Sequence, residues 1–257
     1  MLMFDRIGRA LADYLSEPRE ISGASPPTPP EQLLACLRPA DVLLVEGNAR
    51  ISSAIKYLTQ STWSHASLYV GAAEGSRAGG FIEADLVEGV REVGVSAFAG
   101  LHTRICRPVG LSDEDRAAVV RFARNRLGAR YDLRNVIDLA RYLLPNPPVP
   151  TRWRRRMLTL GSGDPTRAIC SSLIAQAFAS ILYPILPEIE RISADSPECP
   201  GCVKEILHIR HHSLFTPRDF DVSPYFEIVK PSLMRDFDYR ALKWTEGQML
   251  AESGPGQ

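Results

Sequence analysis

Between Asp41 and Val109 the chain reads as a run of short strands with a single helix among them, and this limits the folds open to it. Asp41-Val42-Leu43-Leu44-Val45 is apolar after its first residue, as a buried strand is. Ile51–Leu58 is the helix, with Ile51, Ile55 and Leu58 on one face. His65–Gly71 and Phe81–Leu86 read as strands, Gly89–Val93 continues the second into a hairpin, and Thr103–Val109 is a further strand. Helices then take over. Ser112 caps one, with Asp115 at the third helical position in a variant of the capping box, and Gly128 stops it. Leu133–Leu144 is a second, ending before Pro145, and Cys170–Leu182 a third, after the Gly161–Pro165 turn. Tyr225–Val229 is a closing strand. Strands clustered early, without regular βαβ alternation, predict an α+β fold with an antiparallel sheet packed against helices, not a doubly wound one.

The flanks differ from this body. Phe4, Ile7, Leu11 and Leu15 recur at three- and four-residue spacing, which makes Met1–Glu17 an amphipathic helix. Ser22–Pro30 is a stiff proline-rich linker. The expected organisation is a helix and linker over 1–30, a main domain over 31–232 and a C-terminal extension over 233–257.

Charge and composition exclude several classes. The 257 residues carry 30 Lys+Arg against 30 Asp+Glu, so no net basic field draws the chain to nucleic acid. With 45% hydrophobic residues, wholesale disorder is excluded. No apolar run approaches the ~20 residues a membrane span needs. Asp5, Arg6, Arg9 and Asp13 interrupt any secretory signal, which predicts a cytoplasmic protein. Five cysteines are an odd count, and in a reducing compartment each thiol answers to packing, metal binding or chemistry.

Nucleophilic thiol chemistry needs a thiolate, a histidine that exchanges its proton and a polar group that orients the imidazole. Cys170 is best placed for the first role. It opens a helix, where unpaired N–H groups and the helix dipole favour an anion, and the same N–H groups suit an oxyanion. His65 opens a strand and is the candidate base. Glu83 lies in the next strand, and antiparallel pairing brings the two side chains onto one face.

Five segments, in order, carry a resemblance: Arg38-Pro39-Ala40-Asp41-Val42-Leu43-Leu44, Ser64-His65-Ala66-Ser67-Leu68-Tyr69-Val70-Gly71, Phe81-Ile82-Glu83-Ala84, Gly128-Ala129-Arg130-Tyr131-Asp132 and Cys170-Ser171-Ser172-Leu173-Ile174. With them, Leu37–Val229 resembles the circularly permuted papain-like cysteine hydrolases, the YiiX/YaeF-type relatives of NlpC peptidases. In that family the permutation sets His before Cys, and here the order is His65, Glu83, Cys170. The resemblance implies Cys170 as nucleophile, His65 as base and Glu83 as the orienting group, with no cofactor. It also places Tyr131 at the border of the cleft, where its hydroxyl contacts substrate or supports the oxyanion; the alternative is a packed Tyr at a helix entrance. Two stretches depart from the family pattern: Arg152-Trp153-Arg154-Arg155-Arg156 before the Cys helix, and Glu188–His212, an apparent insertion.

Other signals are weighed beside this site. Trp63, next to Ser64-His65, lines the cleft or fills the core. Arg152–Arg156 meets an anionic surface or substrate group, or is a solvated face. Cys199 and Cys202, with His208, His211 and His212, have ligand types suited to zinc, but the spacing is short for a zinc finger and no metal is expected. The expected reaction is hydrolysis of an amide, in a peptide or small amidated compound, through an acyl-thioester. A thiol acyltransferase or lipid hydrolase, acting on a lipid-like substrate, is the second reading. A binding protein with a vestigial site is the third.

Overall fold

A computed structural model describes residues 27–72, 79–85, 88–129, 169–193, 203–231 and 240. In chain order its elements are α1 (Pro30–Cys36), β1 (Val42–Glu46), α2 (Arg50–Thr59), β2 (His65–Ala72), β3 (Gly79–Asp85), β4 (Gly89–Gly94), β5 (His102–Pro108), α3 (Asp113–Arg124), α4 (Ile169–Ala179), β6 (Glu188–Ser193), β7 (Val203–His208), α5 (Pro217–Val222) and β8 (Phe226–Val229). Six strands form one sheet in the order β4-β3-β2-β1-β5-β8, and every neighbouring pair is antiparallel. The chain is therefore α+β, with an antiparallel sheet packed against helices.

Successive strand residues face opposite ways, and the two faces of this sheet meet different helices. Leu44, Ala66, Leu68 and Ile82 join Leu173, Ile174 and Phe178 of α4 and Val119 of α3 in the larger core. Leu43, Val45, Tyr69, Phe81 and Ile105 form the other core, with Leu33 of α1 and Phe98. Burial on both sides explains why β1 lacks polar alternation.

Local signals place the helix ends. The Ser112 hydroxyl accepts from the Asp115 N–H at 3.1 Å and donates to the Asp115 carboxylate at 2.8 Å, satisfying one end of α3. Gly128 takes φ 80°, the left-handed conformation that favours glycine. Two short helices escape the periodicity reading because neither spans three turns: α1, and α5, which a reciprocal Thr216–Asp219 capping box holds. The expected Glu188–His212 insertion contains β6 and β7, a two-stranded hairpin separate from the main sheet, with every residue of β6 exposed. The Met1–Glu17 and Leu133–Leu144 helices lie outside the described residues. Among the described residues no helix is long and apolar enough to cross a membrane.

One buried ion pair ties the start of β1 to β5 and α1. Asp41 is fully buried, and its carboxylate accepts Arg107 Nε at 3.0 Å, Arg107 Nη2 at 2.8 Å and the Arg38 N–H at 2.8 Å. Arg107 also donates to the Cys36 carbonyl at the end of α1. Removing one partner of such a pair strands the other charge away from water. Asp41→Ala is expected to lower stability by about 3–5 kcal/mol, read as the shift in urea unfolding. A loss below about 1 kcal/mol would mean that the pair does not hold these elements together.

Candidate active site

β1 pairs Val45 with His65, and β4 pairs Arg91 with Glu83. The β2–β3 ladder runs from Leu68↔Ile82 to Ala72↔Gly79. One further step in that register sets Glu83 beside Ser67 and diagonal to His65. Residues two apart on a strand share a face, so His65 and Ser67 both present themselves to Glu83. His65 Nε2 is 2.8 Å from Glu83 Oε2. The Ser67 hydroxyl donates to the same oxygen at 3.3 Å and lies 3.3 Å from His65 Nε2. The other carboxylate oxygen, Oε1, accepts Arg91 Nε at 3.0 Å and lies 2.9 Å from Arg91 Nη2.

Cys170 is the second residue of α4 and is buried, at 5% exposure. Helix packing brings its thiol to β2, at the level where the paired part of the β2–β3 ladder has ended. There Sγ interacts with the His65 imidazole and accepts a hydrogen bond from the Ala66 N–H. The Ser171 hydroxyl lies 4.0 Å from it. Because Glu83 occupies Nε2, Nδ1 is the imidazole nitrogen left for the sulfur.

Charge follows from this geometry. Burial opposes the Cys170 thiolate and is the largest influence on it; the His65 charge and hydrogen bond, with the Ala66 N–H and Ser171, overcome burial and hold the thiol below its ordinary pKa. Burial likewise opposes an imidazolium, but the charge and hydrogen bond of Cys170 and then those of Glu83 push His65 up to about 10. Burial raises Glu83, and His65 and Arg91 outweigh it, bringing the carboxyl down to about 2. Both shifts favour the ion pair, with the proton on the imidazole rather than on the sulfur. Cys106 makes the contrast: burial pushes its thiol well up.

The three side chains singled out from the sequence therefore come together. Ser67, Arg91 and the Ala66 N–H complete the cluster and were not singled out. Arg91 had a signal: the hairpin over Phe81–Leu86 and Gly89–Val93 sets it across from Glu83. Trp63 is buried, and its polar edge serves another cluster. Nε1 donates to Asp221 at 3.0 Å, and the Arg104 guanidinium lies 4.9 Å over the ring. His208 Nε2 lies 2.7 Å from Glu190 across the β6–β7 hairpin, and the His211 and His212 rings stand 4.1 Å apart. Among the described residues no group of three or more His, Cys, Asp or Glu is placed to hold a metal ion. Tyr131, Arg152–Arg156, Cys199 and Cys202 lie outside the described residues.

No family model and no curated protein matches the chain. Among solved structures it is similar to the metalloprotein YiiX from Escherichia coli O157:H7, a DUF1105 protein, at 15% identity and a TM-score of 0.45, covering 75% of this chain and 96% of that one.

The ion pair has a pH signature. Thiolate is lost only as pH falls through the lowered Cys170 pKa, and imidazolium only as pH rises through about 10. Alkylation of Cys170 by iodoacetamide is expected to rise less between about pH 6.5 and pH 8.5 than the roughly 50-fold of an ordinary thiol. Glu83→Gln removes a charge that favours the imidazolium, so its profile should shift to higher pH. An unshifted profile would show that Glu83 has no hold on the pair.

Proposed function

We propose that the chain is a cysteine hydrolase that works by acyl transfer, on a circularly permuted papain-like fold. The observation that carries this reading is the buried Cys170 thiol set against a His65 imidazole that Glu83 grips at 2.8 Å. A packing cysteine gains nothing from partners that favour its ionised form, and a buried thiol with such partners is a mark of functional sites.

The steps balance on these residues. Cys170 Sγ attacks the carbonyl carbon of an amide, and the carbonyl electron pair moves onto oxygen. N–H groups at the start of α4 are suited to receive that oxygen. His65 then gives its proton to the leaving nitrogen, the C–N bond breaks and an acyl-thioester remains. Neutral His65 next takes a proton from water as the water attacks the thioester. Collapse expels Cys170 as thiolate and leaves the imidazolium beside it, so the site returns to its starting charge. Glu83 stays ionised throughout and keeps Nδ1 aimed at the sulfur, while Arg91 and Ser67 keep Glu83 from rotating.

Intact-mass measurement after mixing with activated acyl esters tests the reading. A single acyl group should appear on Cys170 and disappear with time as water releases it. Cys170→Ala should form none, and His65→Ala should slow acylation by a factor of roughly 10²–10⁴. Acylation that does not depend on His65 would refute the catalytic pair and leave a binding protein. A thioester that persists in water and turns over only with an added alcohol or amine would replace the hydrolase by the acyltransferase.

A further inference from the structure

A cavity of about 260 Å³ opens near the start of β2. Three elements line it: the loop Gln60–Trp63, the first residues of β5 through His102 and Arg104, and α5 through Arg218 and Asp221. Its volume suits a polar head group rather than a whole ligand.

The charges around it do not balance within the protein. Asp221 is fully engaged: Oδ1 accepts Arg104 Nη1 at 2.6 Å, and Oδ2 accepts Trp63 Nε1 at 3.0 Å. Glu46, just behind the wall, takes His102 Nδ1 at 3.1 Å and Lys56 at 3.3 Å. Arg218 is different. It donates to the Thr59 carbonyl at 3.4 Å, and no described carboxylate pairs with it. Arg104 is pinned by Asp221 and by the Trp63 ring beneath it, which fixes a planar guanidinium whose other N–H donors remain for a ligand. Two guanidiniums on one cavity, with the only carboxylate among the described residues of its wall already engaged, complement an oxyanion.

Arg104 lies across Leu44 from Ala66, on the sheet face that α4 and α5 cover, whereas His65 lies across from Val45 on the other face, so the cavity stands apart from the thiol site. We infer that this cavity binds a small oxyanion, a carboxylate or phosphate group, at a site separate from Cys170.

Calorimetric titration of the full chain carrying Cys170→Ala tests this, with sodium phosphate and sodium succinate as separate probes at low ionic strength. Saturable binding at one site per chain is expected, weakening as salt is added. Tighter succinate assigns a carboxylate and tighter phosphate a phosphate ester. Arg218→Gln should weaken the bound probe by roughly tenfold, and Arg218→Lys by less. Iodoacetamide alkylation of Cys170 should be unchanged in Arg218→Gln. No saturable binding of either probe, or equal binding by Arg218→Gln, would overturn the cavity and leave the thiol chemistry standing on its acylation test.

Discussion

A carboxylate with almost no contact with water stays ionised only if donors meet both of its oxygens, and Glu83 meets that demand. His65 and Ser67 take one oxygen and Arg91 takes the other. Each donor comes from a strand, and the sheet register decides which strand residues meet. The site is therefore rigid for the same reason that the sheet is rigid. A one-residue slip of β4 would turn Arg91 to the opposite face and leave Glu83 half-unpaired. Such a slip would also loosen His65, because the imidazole is oriented by a carboxylate that would itself be free to turn.

The helix supplies the other half. Leu173, Ile174 and Phe178 seat α4 on the larger core, and that packing delivers Cys170 to the same end of β2 as His65. Packing energy and thiol placement are one act: a residue that sits at the start of a well-anchored helix cannot drift from the imidazole on the sheet beneath it. The two cores then divide the work. One face of the sheet carries the helix that brings sulfur, and Tyr69, Phe81 and Phe98 brace β2 and β3 from the other.

Much of this was legible in the residues. The apolar run Val42–Val45 and the cap at Ser112 each encode a local preference that the fold obeys. Periodicity is blind to elements shorter than its own window, so α1 and α5 emerge only from their caps and contacts. It is equally blind to what a side chain meets across the fold. Trp63 reads as cleft lining or core from its position beside His65, yet its partner Asp221 comes from α5 near the other end of the described chain. Ser67 and Arg91 were hidden for a different reason. A small hydroxyl and an arginine in half-polar strands are common on any solvated face, and only the register shows that both turn toward a buried carboxylate.

The open stretch between β2 and β3 has a consequence for how the molecule keeps to itself. Backbone N–H groups without a strand partner normally belong to the edge of a sheet, where they invite another chain to pair. Here the gap lies inside the sheet, with β1 beyond one strand and β4 beyond the other. The Ala66 donor is thus available to a sulfur but walled off from a neighbouring molecule's strand. The fold gains reactive backbone without gaining a sticky edge.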